Sequence, residues 1–172
     1  MTDDTLNRME ARPDNSTERL LRLIEEYDQT HDQWLRRIMF FFGRRLRSMN
    51  NPVGRLIVAN ITTRLIAYII VKYKLFGVEK KENMSLEEIT LNWLKMSIFF
   101  RIPTEVGSVT TERVEILRPE CTVGFNDAKL RRICRASMNM DMEIIRRLGG
   151  KLTVTGTILE GAPKCRHIIE KL

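Results

Sequence analysis

The sequence predicts an α+β protein in which long N-terminal helices pack on a C-terminal strand-helix-strand-strand module with a small antiparallel sheet. Three observations carry this expectation. Apolar residues recur at helical spacing from Leu20 to Phe100, the pattern changes to Val and Thr alternation after Pro103, and all three cysteines fall beyond Pro119. The chain has 172 residues, 43% hydrophobic and 30% charged, which suits one globular domain and excludes wholesale disorder. We expect a flexible tail over 1–15 and a single domain over 16–172. That domain divides into a helical half, 16–102, and a cysteine-bearing strand and helix module, 103–172.

The first helix rests on Leu20, Ile24, Tyr27, His31, Trp34, Ile38 and Phe41, spaced alternately four and three residues apart and so sharing one face. The same seam would suit pairing with a copy of itself, a homodimer through the N-terminal helix. Met39 to Phe42 make the helix apolar on several sides before Gly43 and a basic run ending near Ser48. Asn50, Asn51, Pro52 and Gly54 then supply turn chemistry. Val53 to Phe76 is the most apolar stretch, but Arg64 sits at its middle with Arg55, Lys72 and Lys74 around it. Each charge is costly at a bilayer centre, so the segment reads as a helix buried inside the domain and closed by Gly77.

Ser85 followed three residues later by Glu88 is a capping box, opening a helix whose face carries Leu86, Ile89, Trp93, Met96 and Phe100 until Pro103 stops it. Val106, Val109, Val114 and Ile116 favour strand, with partial alternation from Thr111 to Leu117. Asn126 and Asp127 open a helix with the stripe Leu130, Ile133, Met138, Met142, Ile145 and Leu148, ended by Gly149 and Gly150. Lys151 to Leu159 alternates as a strand, and Glu160 to Pro163 turns the chain into a last strand over Lys164 to Glu170.

The net charge is +7, concentrated at Arg36, Arg37, Arg44, Arg45 and Arg47 and again at Lys129, Arg131, Arg132 and Arg135. A solvated helix face accounts for the first cluster better than a binding patch. Peripheral membrane contact ranks behind that reading. Nucleic-acid binding ranks last, since no recognised motif or stacking aromatic platform accompanies the clusters. Three cysteines cannot form a complete disulfide framework, and the polar Met1 to Asn15 segment lacks the apolar core of a secretory signal, so the expected compartment is a reducing cytoplasm.

The candidate chemistry lies in Cys121, Cys134, Cys165 and His167. Cys165 and His167 are two apart on a strand and should project from one face. A thiol and an imidazole there can serve as ligands or as nucleophile and base, so Cys165, His167 and Cys134 are the catalytic candidates. All four together, Cys121, Cys134, Cys165 and His167, form the metal-ligand candidate set, whose cofactor would be a zinc or iron ion. Arg131, Arg132 and Arg135 surround Cys134, and positive charge lowers a thiol's pKa; only Arg131 lies at a helical neighbour spacing. His31 in the helical seam reads as a packing histidine. Met138, Met140 and Met142 read as packing and exposure, because alternating residues on a helix do not share a face.

Three segments carry a resemblance. Arg113 to Cys121 (RVEILRPEC), Arg132 to Arg135 (RICR) and Leu152 to Cys165 (LTVTGTILEGAPKC) resemble the L-2-amino-thiazoline-4-carboxylic acid hydrolase-like family. The layout is also similar to vinyl-4-reductase-type domains, which bind small molecules and can carry metal. The resemblance implies that Cys121, Cys134 and Cys165 match the family's cysteine positions. It also implies an activity that hydrolyses a thiazoline ring to a carbamoyl-cysteine product. The chain departs from the pattern at Ala162-Pro163, where the family's turn has an Asp, and at His167, where an aromatic residue is usual. Two function classes follow: a hydrolase of a small cyclic C–N or C–S substrate, or a non-catalytic small-molecule or metal-binding sensor module.

Overall fold

The computed structural model describes residues 18, 20–22, 34–100, 102–121 and 123–172. The expected tail over 1–15, and Ile24, Tyr27 and His31 of the seam, lie outside the described residues. The helices with described bounds are α1 (Trp34–Ser48), α2 (Pro52–Lys72), α3 (Leu86–Phe99) and α4 (Arg131–Leu148). Four strands are β1 (Glu105–Val109), β2 (Arg113–Arg118), β3 (Gly150–Gly156) and β4 (Cys165–Lys171). The α+β class is as the sequence predicts.

Local chemistry explains the element ends. Asn51 accepts the Gly54 N–H and Pro52 begins α2, an arrangement suited to a first turn that lacks internal partners. Ser85 and Glu88 form both halves of the capping box at α3. Gly149, at φ 99°, takes the left-handed conformation that ends α4. Gly77 does not close α2 as the sequence suggests. The helix stops at Lys72, and Lys74, at φ 52°, turns the chain before a short 3₁₀ segment, Leu75–Gly77.

The strands pair antiparallel in the order β1-β2-β4-β3. The sequence shows one strand where the structure has the β1–β2 hairpin. The difference lies at Thr110, whose hydroxyl receives the backbone N–H groups of Glu112 and Arg113 and turns the chain within the Thr-rich run. Because β4 enters between them, β2 and β3 run parallel without touching, joined by α4 as a split β-α-β unit. Val114, Ile169 and Leu152 form one row on the inner face, and Ile116, His167 and Val154 form the next.

That face packs on Ile89, Trp93 and Met96 of α3 and on Ile144, Ile145 and Leu148 of α4, with Ala67 and Ile70 of α2 and Leu20 completing the core. A second cluster, Val58, Phe125, Ile133, Cys134 and Leu159, fills the end of α4 nearest the β2–α4 loop. Gly43 of α1 crosses that loop so closely that a Cβ would stand 2.0 Å from the Val123 carbonyl oxygen. This crossing fixes which side of α1 faces inward. Phe41, which the seam places inside, is 55% exposed.

α2 is also not the buried helix its hydropathy suggests: 28% of its apolar window is buried. Only one side of it, through Val58, Thr63, Ala67 and Ile70, faces the interior. Apolar content summed along a helix does not distinguish one buried side from two.

Candidate functional site

Position in the sheet brings part of the candidate set together. Cys165 begins β4 and stands in register with Arg118, the last residue of β2. His167, two residues on, shares the inner face and is 1% exposed. Cys121 follows β2 in the loop held by α1, where Asn50 Nδ2 donates to the Lys129 carbonyl at 3.0 Å and Arg47 donates to that of Gly124. Cys134 lies in the first turn of α4, buried beside Phe125 and Leu159. All three thiols are free; a thiolate at Cys121 or Cys165 would raise the cost of ionising Cys134, and one at Cys121 that of ionising Cys165.

Burial suppresses the charged forms of Cys134, Cys165 and His167. Burial pushes the Cys134 thiol up to about 12, and the other two cysteines and Glu160 push the same way. Arg135 opposes this, but its guanidinium is engaged with Glu160 at 2.7 Å. Cys165 is raised by burial, partly offset by the Ile158 N–H donating to its Sγ at 3.4 Å and by Arg118. The Phe125 N–H donates to Cys121 Sγ at 3.3 Å. Burial first, and then the Arg118 charge, push His167 down to about 3, so its imidazole is neutral. The backbone of Cys165 and Ile116 lies near enough to favour the cation slightly, but neither ring nitrogen reaches a partner in hydrogen-bond geometry among the described residues.

The centre of the site is a residue that the cysteine pattern does not reveal. Arg118 is 7% exposed. Its Nη2 donates to Ser97 Oγ at 2.8 Å, its guanidinium carbon lies 4.6 Å from the Trp93 ring centroid, and its Nη1 stands 3.8 Å from Asp141 Oδ2. Asp141 is shared, because the Trp93 indole donates to its other oxygen at 2.9 Å. Among the described residues Arg118 Nε has no partner. Burial lowers the pKa of the guanidinium, while Asp141, Cys165 and Cys121 raise it.

The sequence does contain a signal for this centre. Arg118 continues the inward series Val114, Ile116, and Asp141 lies seven residues after Cys134 on the inner stripe of α4, so each is a charge on an apolar face.

No family model matches the chain, and no curated protein or solved structure matched it. The site is therefore read from its own geometry. Among the described residues no group of three or more His, Cys, Asp or Glu side chains could hold a metal ion, so the four candidate ligands do not fit zinc or iron as arranged. An open depression of about 570 Å³ lies at the opposite end of α4 and β4, beside Lys81, Leu148 and Lys171, and contains none of the four. The arrangement at Arg118 sets one buried cation beside a neutral imidazole and the protonated Cys165 thiol, groups with little nucleophilic or basic power at neutral pH.

Proposed function

We propose that the protein is a non-catalytic binding module for a small carboxylate-bearing molecule, with Arg118 as its anchor. One observation carries this reading. A guanidinium buried to 7% exposure keeps Nε unpaired and has its nearest counter-ion at 3.8 Å, already engaged by an indole. Unpaired buried polar groups are destabilising, and a carboxylate is the planar acceptor that a guanidinium edge fits. The two unpaired nitrogens of neutral His167 add one donor and one acceptor on the same face. The hydrolase implied by the resemblance needs a thiolate at Cys165 or Cys134 and a basic His167. Burial opposes both, so binding without turnover has the better support.

The test is calorimetric titration of the protein with 2-aminothiazoline-4-carboxylate, the ligand the resemblance implies, beside its methyl ester. We expect saturable binding of the acid, no binding of the ester, no carbamoyl-cysteine product, and loss of binding in Arg118→Met. Should that variant unfold, Ser97→Ala and His167→Gln, checked by circular dichroism, weaken binding instead. Product formation abolished by Cys165→Ser would establish the enzyme in its place, and absence of binding at millimolar ligand would remove the proposal.

A further inference from the structure

The side of α2 turned away from the core carries a continuous aliphatic ridge. Val53, Ile57, Ile61, Leu65 and Ile69, each four residues after the last, are between 36% and 66% exposed. In a regular α-helix a four-residue step advances about 40°, so four steps would carry such a series from solvent into the core. The π-helical turn Val58–Thr62, closed by the Thr63 N–H donating to the Val58 carbonyl, takes up one more residue per turn and reverses part of that drift. The ridge therefore stays outside. Beside it runs a second exposed row, Leu56, Asn60, Arg64, Tyr68 and Lys72.

The charge carried by this stretch of the sequence has one sign. From Trp34 to Val78 the chain has nine Lys and Arg and no Asp or Glu, leaving 20 basic against 22 acidic residues elsewhere. The net positive charge of the protein thus belongs to α1, α2 and the segment after them. The Lys72 ammonium lies 5.2 Å from the Tyr68 ring centroid and 5.6 Å from that of Tyr73, so cations and amphipathic rings stand together at the end of the ridge.

We infer that this face of α2 docks on the surface of a bilayer containing anionic lipid, with the helix lying in the interface. Aliphatic side chains enter the acyl boundary while Arg64, Lys72 and the flanking arginines meet lipid phosphates. A second copy is disfavoured because the exposed rows of α2 carry Arg64 and Lys72 and no acid, so two copies laid face to face would repel. Nucleic acid would leave the aliphatic ridge against a polar surface. By length and composition alone α2 could cross a bilayer. Its other side is held by α4, where Asn139 Nδ2 donates to the Ala59 carbonyl at 3.1 Å. The inference does not depend on the ligand proposed for Arg118.

The test is co-sedimentation of the full chain with vesicles of phosphatidylcholine with or without phosphatidylserine. We expect binding to the anionic vesicles that falls at least about tenfold in their neutral counterparts, and again in about 0.5 M salt. Ile61→Glu with Leu65→Glu, both on the exposed ridge, should lower it by about tenfold or more with unchanged circular dichroism. Alkaline carbonate should release the bound protein, as for a surface-docked helix. The inference is overturned if the anionic vesicles do not bind at low salt, if the double variant binds equally, or if the protein resists carbonate. It is also overturned if sedimentation shows a dimer that the same two substitutions dissolve, which would make the occupant a second copy.

Discussion

Acid should destabilise this protein well before its carboxylates protonate, because unfolding lets His167 take up a proton that the folded state refuses. The imidazole is pushed from 6.5 to about 3 in the fold, and that difference corresponds to about 5 kcal/mol. The folded value lies below the unfolded one, so this stability is fully present above pH 6.5 and is lost as pH falls toward 3, at about 1.4 kcal/mol per pH unit. Glu115, Glu143 and Glu160, each held below the usual carboxylate range chiefly by an arginine hydrogen bond, act only further down, below about 4.5. From pH 6.5 to 5 these carboxylates contribute little, and comparison with a variant that lacks the ring isolates His167. Urea unfolding at several pH values, for the wild type and for His167→Phe, measures the effect. The wild type should lose about 2 kcal/mol across that window that the variant retains. Parallel pH profiles would refute the reasoning, as would an NMR titration of the His167 ring with a midpoint near 6.5.

Two further predictions concern the same region. Arg118→Met alone leaves the buried Asp141 carboxylate, among the described residues, with the Trp93 indole as its remaining side-chain partner, and should cost about 3–5 kcal/mol in chemical denaturation. Adding Asp141→Leu should restore much of that loss; strictly additive costs would show that the two charges do not compensate each other. Cys134, at about 12, has roughly one thiolate in ten thousand at pH 8. Peptide mapping after iodoacetamide should therefore show it modified only as fast as the protein opens, and labelling of the native protein at the rate of a free thiol would contradict the burial that raises it.

The helices and the sheet were legible wherever a local rule decided them. The Ser85–Glu88 box, the Gly149 stop and the alternation that put Cys165 and His167 on one face all emerge from a few neighbouring residues. What was hidden depends on partners distant in the chain. Val53 to Phe76 reads as a core helix because hydropathy cannot show that α4 covers only one of its sides. Phe41 lies outside because Gly43, two residues on, must meet Val123. The thiols and the imidazole attract attention by residue type, yet the cation beside them is an arginine, common in any sequence. Its importance follows from the strand register that sets it opposite Cys165.

The order of the strands also constrains how the chain reaches its fold. β4 is the last strand made, and it is the one that joins β2 to β3; before it arrives, the β1–β2 hairpin and β3 have no hydrogen bond between them. The Arg113–Glu170 pairing closes a long loop of chain, an entropically expensive step that local hairpins do not face. During synthesis Ile116 and Val154 precede His167, which lies between them in the finished sheet, so the row they share is complete only once β4 has joined.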